Sequence, residues 1–260
     1  MTTLESTIMK KTLIAVAGML AMTSAVTAES WDNIRVGVDA PYPPFEYRSP
    51  DGELTGFEIE LGNEVCQIVS GSDCEWVVQA WDGIIPGLLA RKYDMIFSSM
   101  SINEERQKRV LFSEPYYTTP SAFFAPNGNG FMPGSADGKR VGVQRATIQD
   151  TYVTEFLTGA EVVRYTTADD MIVDLQGGRL DAMFIDAPVG IEMLDGNDSV
   201  TQVGDFIKEP TRIFGEGVGA AFRKRDAALE EQVSAALEQL KNDGTYDTIM
   251  QKYFDIDIKL

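Results

Sequence analysis

The sequence predicts an α/β protein built as two similar halves, each a mostly parallel sheet flanked by helices. Two observations carry this expectation. The segment KYDMIFSS (residues 92–99) recurs almost position for position as RLDAMFID (residues 179–186), and VGVDA (36–40) is echoed by VGVQR (141–145). In addition, short apolar or β-branched runs alternate with helical stripes, an order that implies parallel strands joined by crossover helices.

Taken in order, the first half offers strands at residues 34–38, 75–79 and 93–97. Between them Phe57, Leu61, Val65 and Ile68 form one helical stripe, and Ile84, Ile85, Leu88 and Leu89 another. The second half offers strands at 140–143, 161–165 and 180–184, with Ile172 and Leu175 preceding Leu180 at the offsets by which Ile85 and Leu88 precede Tyr93. FGEGVG (214–219) reads as a return strand into the first half. A helix over 225–241 then carries Leu229, Val233, Leu237 and Leu240 on one face, which should pack on that half. Turn-rich stretches at 127–138 and 196–199 are expected to be exposed loops.

The first residues belong to neither half. Lys10 and Lys11 precede an apolar run from Thr12 to Met22, and Val26, Thr27 and Ala28 supply the small residues of a secretory cleavage site, so residues 1–28 read as a signal peptide. Met9-Lys10-Lys11 also reads as a plausible beginning. A transmembrane anchor needs about 20 apolar residues, and this run soon meets Thr23, Ser24 and Thr27. Export gives meaning to Cys66 and Cys74, the only two cysteines among 260 residues. In an oxidising compartment they read most simply as a disulfide, worth roughly 2.5 kcal/mol for so short a loop in the chain-entropy model. No metal or cofactor is expected, because the chain has no histidine and the cysteines are not spaced as CxxC. A formal net charge of −18 excludes nucleic acid as a partner. That acidity either attracts cations or simply solvates the surface.

In open parallel sheets ligands bind beyond the carboxyl ends of the strands. This rule selects Asp39 and Tyr42 after the first strand, Trp81 after the second, and Ser98, Ser99, Ser101 and Arg106 after the third. In the other half it selects Gln144, Arg145, Thr147, Ile148 and Gln149, then Asp186. An arginine fork matches a carboxylate, and the amides of Thr147 to Gln149 add donors at the positive end of a helix. Asp186, helped by Ser99 and Ser101, suits an ammonium group. Together these define a free α-amino acid. Asp39 remains over, with Tyr42 and Trp81 beside it, a combination suited to a cationic side chain. Each residue also has an ordinary alternative. Arg106 can pair with Glu104 or Glu105 on a helix surface, Asp186 and Asp39 can cap turns before Pro188 and Pro41, the aromatics can be packing residues, and the serines a turn. No nucleotide cradle, GxSxG elbow or HExxH motif is present, so binding without chemistry is the simpler expectation.

In IRVGVDAPYPPFEY, GFEIELGNEVC, WDGIIPGLLARKYD, SSMSINEER, FSEPYY, VGVQRATIQD, GRLDAMFID and DGTYDTIMQKYF the chain resembles the periplasmic solute-binding proteins of polar amino acid ABC importers. It is most similar to the lysine/arginine/ornithine and histidine-binding group. The resemblance implies a two-lobed type II periplasmic-binding-protein fold with a two-strand hinge, lobe 1 comprising residues 29–118 and 215–260 and lobe 2 residues 119–214. It implies a monomer in the periplasm, without cofactor or catalysis, that closes over a cationic amino acid and hands it to an inner-membrane permease. By position it assigns carboxylate binding to Arg106 and the helix start at Thr147, Ile148 and Gln149. Ammonium binding falls to Asp186, and the side chain to Asp39, Tyr42 and Trp81, with Ser98, Ser99 and Ser101 alongside. Trp81, Gln144 and Arg145-Ala146 stand where the group often has phenylalanine, leucine and glutamine-glycine, so guanidinium or an opine suits the site at least as well as ammonium. Rival expectations are a binder of glutamine, histidine or another amino acid, in which Asp39 is no ligand if the amino acid is neutral, and a prephenate-type dehydratase.

Overall fold

In the computed structural model, which describes residues 31–260, the chain forms two five-stranded sheets in two helix-flanked lobes. The signal peptide expected at residues 1–28 lies outside the described residues. The first lobe begins with β1 (Arg35–Val38), a small hairpin of β2 (Tyr47–Arg48) and β3 (Leu54–Thr55), and α1 (Phe57–Ser70). It continues through β4 (Glu75–Val78), α2 (Ile84–Leu89), β5 (Met95–Ile96), α3 (Glu104–Gln107) and β6 (Leu111–Phe112). The second lobe holds β7 (Ser121–Pro126), β8 (Arg140–Gln144), α4 (Ile148–Phe156), β9 (Glu161–Tyr165), α5 (Ala168–Gln176), β10 (Ala182–Asp186), α6 (Ala187–Met193), β11 (Val200–Ile207) and α7 (Thr211–Phe214). The chain then returns to the first sheet as β12 (Ala221–Phe222) and ends with α8 (Ala227–Asp243) and α9 (Thr245–Tyr253) packed on α1.

In each sheet, ordered β4-β1-β5-β12-β6 and β11-β7-β10-β8-β9, four of the five strands run in one direction. β1 runs parallel to β4 and β5, and β8 parallel to β9 and β10, as the repeat predicts. β12 and β7 are antiparallel to both of their neighbours. These two strands enter each sheet from the opposite lobe, so they arrive against the direction set by the crossover helices. The two passages between lobes lie side by side, joined by the antiparallel bridge of Tyr117 with Val218.

The repeat has a physical basis at the amino ends of the strands. The Arg35 amide donates to Asp94 Oδ2 at 3.2 Å, and the equivalent Arg140 amide to Asp181 Oδ2 at 2.8 Å. A Cβ at Gly37 would stand 2.4 Å from the Tyr93 ring, and one at Gly142 would stand 2.5 Å from Leu180 Cδ1. Both glycines therefore admit the residue that opens the third strand of their half. Pairing with the first strand of each half begins right after Tyr93 and Leu180, where the Asp94 amide donates to the Arg35 carbonyl and the Asp181 amide to the Arg140 carbonyl, each at 2.8 Å, and the strands proper run at Met95–Ile96 and Ala182–Asp186.

The predicted apolar face of α8 is wholly buried, but Ile68 and Leu89, on the outer sides of α1 and α2, are exposed. The loop at 127–138 is largely exposed and is anchored by buried Phe131 and Ala136, while 196–199 is polar and mostly exposed. The disulfide joins Cys66 in α1 to Cys74 before β4 and fixes the start of that edge strand. Among the described residues no helix is long and apolar enough to cross a membrane.

Candidate functional site

The carboxyl ends of both sheets face one another across a cavity with about 330 Å³ of space between its lining atoms. Twelve residues proposed from the sequence line it: Asp39, Tyr42, Trp81, Ser98, Ser99, Ser101 and Arg106 from the first lobe, and Gln144, Thr147, Ile148, Gln149 and Asp186 from the second; Arg145, which the strand-end rule also selects, does not. A thirteenth, Glu46, was not anticipated. It follows the turn after Tyr42, whose backbone it pairs with in both directions, and no period or motif marks it as inward-facing. Its only signal was its place four residues after Tyr42, in the segment that follows β1.

The ordinary alternatives mostly fail. Arg106 pairs with neither Glu104 nor Glu105; its Nη1 donates to the Ser101 carbonyl at 2.9 Å and its guanidinium lies 5.2 Å from the Trp81 ring centroid. Asp186 sits at the start of α6 without capping it by its side chain. Its Oδ1 accepts Ser121 Oγ at 3.1 Å and Gln149 Nε2 at 2.8 Å, and its Oδ2 accepts the Tyr42 hydroxyl at 2.6 Å. Since a carboxylate offers about four lone-pair positions, one remains on Oδ2, and Asp186 lines the cavity. The side chain of Gln149 therefore holds Asp186, leaving its backbone amide for any bound anion.

Thr147 caps α4 through a 3.1 Å bond from the Asp150 amide. The amides of Ile148 and Gln149 open that helix with no carbonyl one turn behind them, a natural anion cradle. Ala146, at φ +64°, turns the chain into this cap where glycine is at less steric cost. Ser98 and Ser99 depart from expectation. Ser98 Oγ takes the Asp39 amide at 2.9 Å and donates to Glu46 Oε1 at 2.8 Å. Ser99 Oγ contacts Glu46 Oε2 at 3.1 Å and the Tyr117 hydroxyl at 2.8 Å. The expected help of Ser99 to Asp186 therefore fails, because its hydroxyl is already engaged on the first lobe. For Ser101 it is the carbonyl, bonded to Arg106, that is engaged.

The lobes touch directly. Besides Tyr42 with Asp186, Gln144 Nε2 donates to Asp39 Oδ2 at 2.6 Å, Trp81 Nε1 to the Ala146 carbonyl at 3.1 Å, and Arg145 Nη1 to Asp82 Oδ2 at 3.0 Å. The cleft is thus closed. Closure buries charge: desolvation pushes Asp39 and Asp186 up to about 6 and pulls Arg106 down to about 10. One cation and three carboxyl groups facing one enclosed space favour a ligand that brings an anion for Arg106 and more than one cation for the rest.

Residues 34–256 match the family model of bacterial extracellular solute-binding proteins, family 3, and the chain belongs to that family. It is 39% identical over 257 residues to the L-arginine-binding protein of Pseudomonas aeruginosa, covering 96% of this chain and 98% of that one. It is 35% identical over 259 residues to the lysine/arginine/ornithine-binding periplasmic protein of Escherichia coli, covering 96% and 99%. Among solved structures, a Salmonella typhimurium periplasmic binding protein described for high arginine specificity superposes with a TM-score of 0.82 at 27% identity, covering 86% of this chain and all of that one.

Proposed function

We infer that this protein is the substrate-binding component of an ABC importer. In this reading it is exported by residues 1–28 to the periplasm, closes over a cationic L-amino acid and delivers it, as a monomer, to a membrane permease. Arginine, ornithine and lysine are the candidate ligands. The observation that carries the reading is the placement of charge in one closed cavity. Arg106 and the start of α4 hold the α-carboxylate, Asp186 offers its remaining lone pair to the α-ammonium, and Asp39, with Glu46 beside it, takes the side-chain cation. The Tyr42 and Trp81 rings wall the stem.

Lobe 1 (residues 29–118 and 215–260) and lobe 2 (119–214) act as rigid halves, and the paired passages near Tyr117 and Val218 act as hinge. Only contacts made in the closed state and absent from the open one shift the balance between them. The ligand meets both conditions, since Arg106 and Asp39 lie on one lobe and Asp186 and the α4 amides on the other. The relatives named above are binding proteins rather than enzymes, which sets the dehydratase reading aside.

Thermal-shift and calorimetric titration with arginine, ornithine, lysine, histidine, glutamine and octopine test the assignment. Stabilisation by the basic amino acids and little by glutamine is the expected result. Stabilisation by glutamine alone would transfer the site to a neutral ligand, and by octopine alone to an opine.

A further inference from the structure

Behind the serines of the cavity wall lie two carboxyl groups with no counter-charge. Glu46 is 1% exposed and lines the cavity; Glu58, on α1, is fully buried behind it. Glu46 faces Asp39, Tyr42, Ser98, Ser99 and, through them, Glu58; Glu58 faces Tyr116, Tyr117, Tyr246 and the Ser99 amide. Among the described residues no lysine or arginine bonds to either. Ser99, which links them, has φ +48°, a conformation a non-glycine residue holds only when its surroundings enforce it.

Counting hydrogens gives the decisive argument. Glu46 Oε2, Ser99 Oγ, the Tyr117 hydroxyl and Glu58 Oε1 form an unbroken chain with separations of 3.1, 2.8 and 2.8 Å. Three hydrogen bonds need three protons, and the two hydroxyls supply only two. The tyrosine cannot donate in both directions at once. Either two bare oxygens face each other in a dry interior, at a cost buried polar groups rarely bear, or one carboxyl is protonated.

We propose that Glu46 and Glu58 share one carboxyl proton through Ser99 and Tyr117, giving the cavity a negative charge that relocates to suit the ligand. With the proton on Glu46, Glu46 donates to Ser99, Ser99 to Tyr117 and Tyr117 to ionised Glu58. When a cation enters beside Asp39, the proton on Glu46 passes to Ser99, that of Ser99 to Tyr117, and that of Tyr117 to Glu58. Three O–H bonds break and three form, and the pair keeps a single negative charge, now at the cavity wall. Burial without a cation raises the proton affinity of both carboxyls, in keeping with this arrangement. The charge-relocation half of the proposal rests on the cationic-ligand reading; the shared proton does not.

Infrared spectroscopy of the ligand-free protein at neutral pH tests the proton. A protonated-carboxyl stretch is expected in the wild type and should vanish in Glu46→Gln, whose amide supplies the missing hydrogen. It should vanish equally in Glu58→Gln, whose amide supplies that hydrogen from the other end of the chain. Absence of the stretch in the wild type, or its persistence in both variants, overturns the shared proton. Calorimetry tests the charge. Glu46→Gln should weaken arginine roughly tenfold or more and glutamine far less, whereas Glu58→Gln, which confines the charge to Glu46, should preserve the preference for arginine. Equal losses for both ligands overturn the relocation, as does a wild type that binds neither, while the infrared result still decides the proton.

Discussion

The two lobes follow one plan yet bring opposite chemistry to the cleft. At the amino ends of their strands the halves agree: Arg35 with Asp94 matches Arg140 with Asp181, and Gly37 under Tyr93 matches Gly142 under Leu180. At the carboxyl ends they diverge. β1 is followed by Asp39, whereas the equivalent residue of β8 is Gln144, and these two meet at 2.6 Å across the cleft. Ser99, held from the first lobe by Glu46 and Tyr117, stands where the second lobe has Asp186. The ends that only hold the sheet together keep the repeat; the ends that face the cleft are free of that constraint and have specialised. The first lobe supplies the arginine, two aromatic rings and two acids, and the second supplies a helix start and one carboxylate.

Breaking the specialised ends should abolish or redirect binding, while breaking the shared ends should cost stability alone. The largest effect is expected from Arg106→Ala, which leaves the ligand carboxylate buried and unpaired: calorimetry should show a loss of about 3 kcal/mol or more for every amino acid. Retained affinity would remove Arg106 from the site. Gly37→Ala should lower stability in chemical denaturation by about 1–3 kcal/mol, and Gly142→Ala by less, because a flexible leucine yields more easily than a tyrosine ring. A change in ligand preference in either variant would contradict the division between the two ends.

Asp39→Asn should weaken arginine by about 1–2 kcal/mol and leave glutamine nearly unchanged, since only the cation loses its partner. The pH dependence has a defined sign. In the empty closed state Asp39 and Asp186 bind protons more tightly than in the unfolded chain, so their contribution makes folding more favourable as pH falls through about 6. The ligand needs both carboxylates ionised, so arginine affinity should fall over the same interval, and titrations at stepped pH will show whether it does. Smallest is Arg145→Ala, which removes the half-exposed pair with Asp82 at the cleft mouth. It should cost under about 1 kcal/mol of closure, seen as a modestly faster ligand release in stopped-flow.

Most of the cavity lining was legible because it needed only two inferences: where the parallel strands end, and which residue types stand there. Glu46 was not, because its inward direction is set by a turn that folds back on Tyr42 and by the serines of β5's far end, contacts with no periodic trace in the sequence. The commitment of Ser99 to the first lobe was hidden for the same reason, as its partners Tyr117 and Glu46 lie 18 and 53 residues away. The two antiparallel strands escaped the repeat because β7 and β12 each follow a passage between the lobes and belong to neither half's plan.

The sequence by itself determined the strand–helix alternation, the internal repeat, the cysteine pair and the list of polar residues at strand ends, because each follows from local pattern and spacing. Only the tertiary structure decided which of those residues spend their hydrogen bonds on one another and which face open space. That division depends on distances between segments far apart in the chain. A buried polar group must find its partners in three dimensions, so pattern alone does not say which groups are left for a ligand.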